Sequence, residues 1–487
     1  MIHKIKNILG SNHVRAVFII FFALQAVMLA LSFKYPMIFD ERYHFEVIKI
    51  YSNQQSPIIA PDQLEKYDVY GSLSFGSASL YHYLLSFPLR LFDSLGAPTY
   101  AEIVSLRMIN IFFVTIGLLM YARVFMLIGV KNYIINLTLL YYSLIPLTTL
   151  VAATISYDNL QFLILAILLS LGVRIIKYNR DNINSFAVFL LMGMLGMLIK
   201  FTFAPVFLLM FGVLLFFRIR AMGYRVFAHR IVSSIKNTRP LQIVLITTVL
   251  SILLGLASYR YLYPVARYGS PNPDCAKVLS ENRCLKSGVF AAEREAGKTR
   301  YSREPISPDD YILNWYETII LQLDTSGAVI SEKRVEFGTS LPVIATMIGF
   351  FVTSGLLLIF YQWKTVKPKS DGYIFVSIVA LITVGLVLVF NMGTYYSVNM
   401  DLNVQARYLI PVIPIFIMLV LVSFSYLRLH KTIKTTILLS SLILCTQGGG
   451  VIKHLVTSEK TWINDDVVTQ TIYEKTKDLT APLVIEN

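Results

Sequence analysis

The chain has 487 residues, 55% hydrophobic and only 15% charged, against about 25% charged in an average globular domain. Its mean hydropathy of +0.62 is not sustained by soluble chains of this length, so a soluble enzyme and a disordered protein are both excluded. The net charge of +14 would point to nucleic acid on a soluble protein, but on a membrane protein it more often labels the loops that stay in the cytoplasm.

A spanning helix needs about 20 mostly apolar residues. Eleven segments qualify: 14–33, 107–128, 133–153, 157–176, 185–200, 202–217, 240–259, 340–361, 373–392, 408–427 and 435–451. The fifth and sixth are short, flank Lys200, and can also be read as one bent or re-entrant unit. The first is long and is followed by no small-residue cleavage site, so it is not read as a cleavable signal peptide. With the N-terminus in the cytoplasm, the cytoplasmic segments hold the excess of Lys and Arg and just two carboxylates, Asp181 and Asp371. The opposite side is net negative, which obeys the positive-inside rule, and an odd number of spans puts the C-terminus outside. The expectation is an all-α polytopic membrane protein with about 11 transmembrane helices. One transmembrane domain covers 1–453, with outer loops at 34–106 and 260–339, and 454–487 is a short outer tail. The basic stretch Arg218 to Arg239 reads as a topology signal with headgroup contact, or as a site for a cytoplasmic partner.

The first outer loop opens on Asp40-Glu41, just past the end of the first span. This pair can cap a helix start, and a carboxylate at a membrane surface can also act as general base for an acceptor hydroxyl. Farther along, Ser79 to Arg90 is apolar and aromatic but too short to span, and reads as a helix lying in the interface. Arg107 is placed at the start of the second span, where it could also snorkel to headgroups. Asp158 lies at the outer end of the fourth span, again a possible cap. Lys200 sits in an outer turn, Arg260 and Arg267 follow the seventh span, and Arg407-Tyr408 open the tenth. Cys275 and Cys284, nine apart in the second outer loop, are expected to form a disulfide in an oxidising compartment, the alternative being two free thiols. Cys445 reads as packing. No P-loop, GxGxxG, HExxH or paired CxxC pattern is present, and the seven His residues show no metal-ligand spacing.

Carboxylates (Asp40, Glu41, Asp158) and cations (Arg107, Lys200, Arg260, Arg267, Arg407) thus gather on one face. Cations at that boundary suit an anionic lipid headgroup, a phosphate or diphosphate above all. A carboxylate base beside a bound phosphate leaving group is what glycosyl transfer from a lipid-linked sugar requires, with nearby cations stabilising the developing charge.

In order along the chain, DERYH (Asp40 to His44), LYHYLLSFPLRLF (Leu80 to Phe92), LRMIN (Leu106 to Asn110), ISYDNL (Ile155 to Leu160), LIKFTFAP (Leu198 to Pro205) and RYLIPVIP (Arg407 to Pro414) resemble the GT-C superfamily of integral-membrane glycosyltransferases. That group includes protein O-mannosyltransferases, lipid A aminoarabinose transferases and the serotype-converting transferases that decorate O-antigen. The resemblance runs from about 14 to 427. It implies a GT-C-like fold with interfacial helices in the first periplasmic loop, in a bacterial inner membrane, with a polyprenyl-phosphate-linked sugar as donor. It implies Asp40 as first choice for the base and Glu41 as second, with Asp158 binding or orienting. Arg107, Lys200, Arg260, Arg267 and Arg407 become phosphate-binding candidates, joined by Tyr408, His44 and Tyr81 as substrate-binding ones. No long soluble C-terminal domain and no WWD-type motif follow, which favours a glycan or glycolipid acceptor such as O-antigen over a peptide. Membrane lipids are expected partners and nucleic acid is not. No cofactor is assigned, and a divalent cation stays open. The competing classes are a lipid-linked glycan transporter or flippase, and a polysaccharide polymerase or ligase.

Overall fold

The computed structural model describes residues 7–37, 40–54, 56–58, 80–271, 273, 275–278, 280–285, 291, 294, 305–325, 329–331, 334–336, 342–362, 370–398, 404–446, 451, 454–455, 458 and 460–480. The Pro57-to-Gly76 part of the first outer loop falls mostly outside these residues, as does the side chain of Cys445. The described chain is almost wholly helical; its strands are one short antiparallel hairpin, β1 (Val329–Ser331) and β2 (Arg334–Glu336).

Helix α1 (Asn12–Ser32) is capped by the Ser11 side chain, which accepts from the Val14 amide. Two loop helices follow, α2 (Glu41–Ser52) and α3 (Leu80–Ser94). Helix α3 buries Tyr81, His82, Leu85, Ser86 and Leu89 and exposes Leu84, Phe87 and Leu91. That two-faced pattern suits a helix at an apolar–polar boundary. Arg90 of α3 donates to the Tyr51 carbonyl at 2.6 Å, closing the C-terminal turn of α2 with a cation, where the helix dipole favours one.

Helix α4 (Thr99–Leu127) has 29 residues. At about 1.5 Å per residue it outruns a hydrocarbon core of about 30 Å. The helix therefore starts two turns ahead of Arg107, which sits within α4 and does not open it. The segment expected as one span over 133–153 is broken into α5 (Asn132–Leu144) and α6 (Pro146–Ala152), bent by 75°. Pro146 is the cause: it has no N–H and its ring collides with the preceding turn. Thr148 Oγ1 donates to the Tyr142 carbonyl at 2.7 Å and satisfies the break. The tenth span is likewise shortened. Arg407 and Tyr408 lie in a 3-10 turn, Ala406–Leu409, and the α-helix begins at Ile413, past Pro411.

The remaining helices are α7 (Tyr157–Tyr178), α8 (Ile183–Ile199), α9 (Phe203–Met222), α10 (Tyr224–Asn237), α11 (Pro240–Tyr268), α12 (Glu281–Cys284), α13 (Pro308–Thr325), α14 (Pro342–Gln362), α15 (Asp371–Val398), α16 (Ile413–Tyr426), α17 (Lys431–Thr446) and α18 (Val467–Thr480). Among the described residues, every apolar segment expected from the sequence overlaps a helix or the bent pair. Six helices are long and apolar enough to cross a membrane, or seven counting the bent pair, among the described residues. The chain is a multi-pass membrane protein; a count of 11 crossings is not established. Helices α8 and α9 form two separate helices joined at Lys200.

Among the long apolar helices, α7 is the most enclosed, and it packs between α4, α8 and α15. The tail returns to α1: the Lys34 amide donates to the Trp462 carbonyl at 2.9 Å, and Lys34 Nζ meets Asp465 at 2.9 Å. Cys275 and Cys284 are disulfide-bonded, as their spacing suggested.

Close helix approach rests on glycine. A Cβ at Gly193 of α8 would fall within the ring of Phe207 on α9, and one at Gly196 within the ring of Phe203. Gly193→Ala is expected to lower stability by about 1–3 kcal/mol through overpacking, read as a reduced melting temperature of the purified protein in detergent.

Candidate active site

The site is built on a buried ion pair between neighbouring segments. Glu41, the first residue of α2, is fully buried, and Arg107 of α4 is 1% exposed. Arg107 Nε donates to Glu41 Oε1 and Nη2 to Oε2, each at 2.8 Å. Its Nη1 donates to the carbonyls of Ala30 and Phe33 at 2.8 and 2.9 Å, so a cation closes the C-terminus of α1. Glu41 also accepts the Met37 amide at 2.6 Å and the Ile155 amide at 3.1 Å. One carboxylate and one guanidinium thereby tie together the end of α1, the start of α2, α4 and the turn before α7. Both groups are saturated by protein partners, so the arrangement is a brace.

Asp40 adjoins Glu41 but goes the other way. It stands at the N-terminal boundary of α2 with φ 63 and its side chain makes no cap hydrogen bond, contrary to the capping alternative. Asp tolerates this left-handed region better than most residues. The Asp40 side chain is 52% exposed, and its Oδ2 accepts from Arg407 Nη2 at 2.7 Å. Arg407 is buried, and its Nε lies 3.8 Å from Asp158 Oδ2. Asp158 Oδ1 in turn accepts from Lys200 Nζ at 2.6 Å. The cap of α7 is Ser156; Asp158 sits in the first turn. Lys200 also lies over the rings of Tyr157 and Tyr408, at 4.6 and 4.2 Å, where a desolvated cation gains from the ring faces. Asp40, Arg407, Asp158 and Lys200 therefore alternate in sign around one end of the bundle, with Asp40 at the open edge.

Arg260 is set beside this chain. It is 6% exposed, lies 5.4 Å from the rings of Phe201 and Tyr261, and donates to the Pro271 carbonyl at 3.1 Å. No carboxylate among the described residues forms an ion pair with it. Arg267 is exposed and is not drawn into the cluster. Tyr81 is fully buried and donates to Asn110 Oδ1 at 3.0 Å, so it is a core residue here and offers no face to a sugar. Among the described residues no three His, Cys, Asp or Glu side chains gather as metal ligands.

Three further participants lie inside the quoted motifs, but nothing in the sequence singles them out as site residues. Asn110 Oδ1 accepts from Tyr81, from Asn159 at 3.1 Å and from the Ser156 amide at 3.4 Å, which fixes the turn that presents Asp158. Tyr157 floors both Lys200 and His44, whose ring it meets at 4.5 Å. His82 of α3 faces His44 of α2 at 2.9 Å, Nε2 to Nδ1. Both imidazoles are 1% exposed, and His44 Nε2 and His82 Nδ1 have no hydrogen-bond partner among the described residues. Both helices lie in the loop outside the spans. Burial holds the His44 pKa well below its ordinary value, helped by the charges of Arg407 and Lys200. Burial and then His44 do the same to His82.

No protein-family model matches the chain, and no curated protein matches it. Solved structures similar to it include the archaeal oligosaccharyltransferase AglB from Archaeoglobus fulgidus in complex with an inhibitory peptide and a dolichol-phosphate. The identity is 12% and the TM-score 0.45, over 95% of this chain and 59% of that one. The oligosaccharyltransferase of the same organism tethered to an acceptor peptide gives 12% and 0.43, over 91% and 55%. Its apo form gives 12% and 0.44, over 91% and 56%. The chain spans little more than half the length of each, and a likeness this distant identifies neither a family nor an activity.

Two outcomes follow from the geometry. Glu41→Gln leaves the Arg107 charge buried without its counterion and is expected to cost about 3–5 kcal/mol, seen as a large fall in melting temperature, whereas Asp40→Asn at the exposed edge shifts it little. The neutral histidine pair gives stability a pH dependence. Unfolded imidazoles take up protons below about 6.5 while the buried pair resists, so stability is level above that pH and declines as pH falls beneath it. Melting temperatures between pH 8 and pH 5 check this, and a His44→Gln/His82→Gln double variant should show a flatter profile.

Proposed function

We propose that the protein transfers a sugar from a polyprenyl-phosphate donor to a hydroxyl of a glycan or glycolipid acceptor, with Asp40 as general base. The observation that carries this reading is a half-exposed carboxylate fixed 2.7 Å from buried Arg407, at the end of the bundle where Lys200 and Arg260 are also buried. Arg407 engages Asp40 Oδ2, and the other carboxylate oxygen takes the acceptor proton. The acceptor oxygen then bonds to the anomeric carbon as the bond from that carbon to the phosphate oxygen breaks. The electron pair leaves with polyprenyl phosphate. Phosphate is a stable leaving group, and fixed cations favour its developing charge, so no separate acid is needed.

The roles divide by charge balance. Glu41 and Arg107 neutralise each other inside the brace and position Asp40. Lys200 and Arg407 are each paired with a carboxylate and hold Asp40 and Asp158 in place. Among the described residues, Arg260 is the buried cation at this end of the bundle that forms no ion pair, and it is assigned to the donor phosphate. The same reading puts the site on the periplasmic face of a bacterial inner membrane, with the N-terminus in the cytoplasm, in keeping with the distribution of Lys and Arg. O-antigen is the acceptor class in view.

The test is transfer of label from a polyprenyl-phosphate sugar in membranes bearing each variant. Asp40→Asn is expected to reduce turnover by about 100-fold or more while insertion and melting temperature are kept. Arg260→Gln is expected to raise KM for the donor with less effect on kcat. Full activity in Asp40→Asn would remove the base assignment, and activity only with a diphosphate-linked oligosaccharide would favour a polymerase or ligase.

A further inference from the structure

The far end of the bundle carries a second charged arrangement that the transfer reaction does not use. Helices α7 and α9 begin at the site and run away from it, and the chain turns over there through α10 (Tyr224–Asn237) before α11 returns. Helix α10 has 14 residues, about 21 Å at 1.5 Å each, too short to cross a bilayer. None of its residues is buried. No acidic residue occurs between Arg218 and Arg239.

One face of α10 is docked. Arg230 Nη1 reaches Asp181 Oδ2 at 3.1 Å, and the Ile183 amide donates to Ser234 Oγ at 3.0 Å. Phe227 meets the Phe186 ring edge-on at 5.7 Å. Asp181 is also gripped by Arg218, whose Nε and Nη2 each lie 2.6 Å from its oxygens. The rotation of the helix is thereby fixed. At about 100° per residue, Tyr224, Val232 and Ile235 then share an adjacent face and are 69%, 52% and 39% exposed. Arg225, His229 and Lys236 form a third, exposed stripe beside them.

We infer that α10 is a binding site for anionic phospholipid: it lies in the leaflet surface at this end, Tyr224, Val232 and Ile235 entering the acyl boundary and Arg225 and Lys236 meeting phosphate headgroups. An apolar face next to a basic one on a short helix is the arrangement that binds such surfaces. The Asp181 grip sets which face is presented. The inference is independent of the proposed transfer reaction.

The test places the full chain carrying Val232→Trp in nanodiscs with a fixed fraction of brominated lipid, either phosphatidylglycerol or phosphatidylcholine, and reads quenching of the added indole against the parent. Brominated phosphatidylglycerol is expected to quench at least about twofold more strongly, since each basic residue near the surface favours anionic lipid. Adding Arg225→Gln and Lys236→Gln, which leave the Asp181 contacts untouched, should bring the two lipids to parity. Equal quenching by both lipids with the basic residues in place would overturn the inference. So would an unchanged preference in the charge-removed variant. Absence of quenching by either lipid would also overturn it, and would point to a protein partner on this face.

Discussion

The two-pronged contact between Glu41 and Arg107 is the constraint on which the site depends. A carboxylate and a guanidinium taken out of water recover their solvation only when every lone pair and N–H finds a partner. Here the partners are the last carbonyls of α1, the amide of Met37 and the amide of Ile155. Meeting that requirement brings the end of one span, the start of a loop helix, the body of a second span and the turn before α7 into one place. Asp40 inherits its position from this: its neighbour is immobilised, and the left-handed backbone at Asp40 itself sends its side chain toward Arg407.

A second regularity follows from low polarity. Nearly every buried charge near the site is matched: Glu41 by Arg107, Asp40 and Asp158 by Arg407, Asp158 by Lys200. Arg260 departs from this pattern among the described residues and relies on aromatic faces and a backbone carbonyl. Such a cation is costly to keep bare in an apolar setting, so a bound anion would relieve it. Charge matching of this kind separates residues that hold the architecture from those with capacity left for a ligand.

The helical segments, the gathering of Asp40, Asp158, Lys200 and Arg407, and the Cys275–Cys284 pairing were legible in the sequence, because apolar runs, isolated charges at their ends and close cysteines are local patterns. The division of labour between Asp40 and Glu41 was not, since adjacent carboxylates look alike until the backbone dihedral separates them. Arg107 read as a helix start because the continuous apolar run of α4 begins after it, while the two turns ahead of it are interrupted by Thr99, Glu102 and Ser105. The bend at Pro146 was hidden by uninterrupted apolar character on both sides. His82 and Asn110 gained their roles from partners 38 and 46 residues away, contacts that no spacing within one helix encodes. Arg267 looked equivalent to Arg260, seven residues earlier on the same helix; burial alone tells them apart.

The contact between Asp40 and Arg407 also bears on how the protein is made. The two residues are separated by 367 positions, and the tail beyond them folds back on the end of α1. Membrane insertion proceeds from the N-terminus, so Asp40 is made and placed long before its cation partner is synthesised. The carboxylate and the rest of the cluster meet only once the later helices have entered and packed. Biogenesis thereby acts as a gate: a nascent, half-inserted chain displays the carboxylate without the constellation around it.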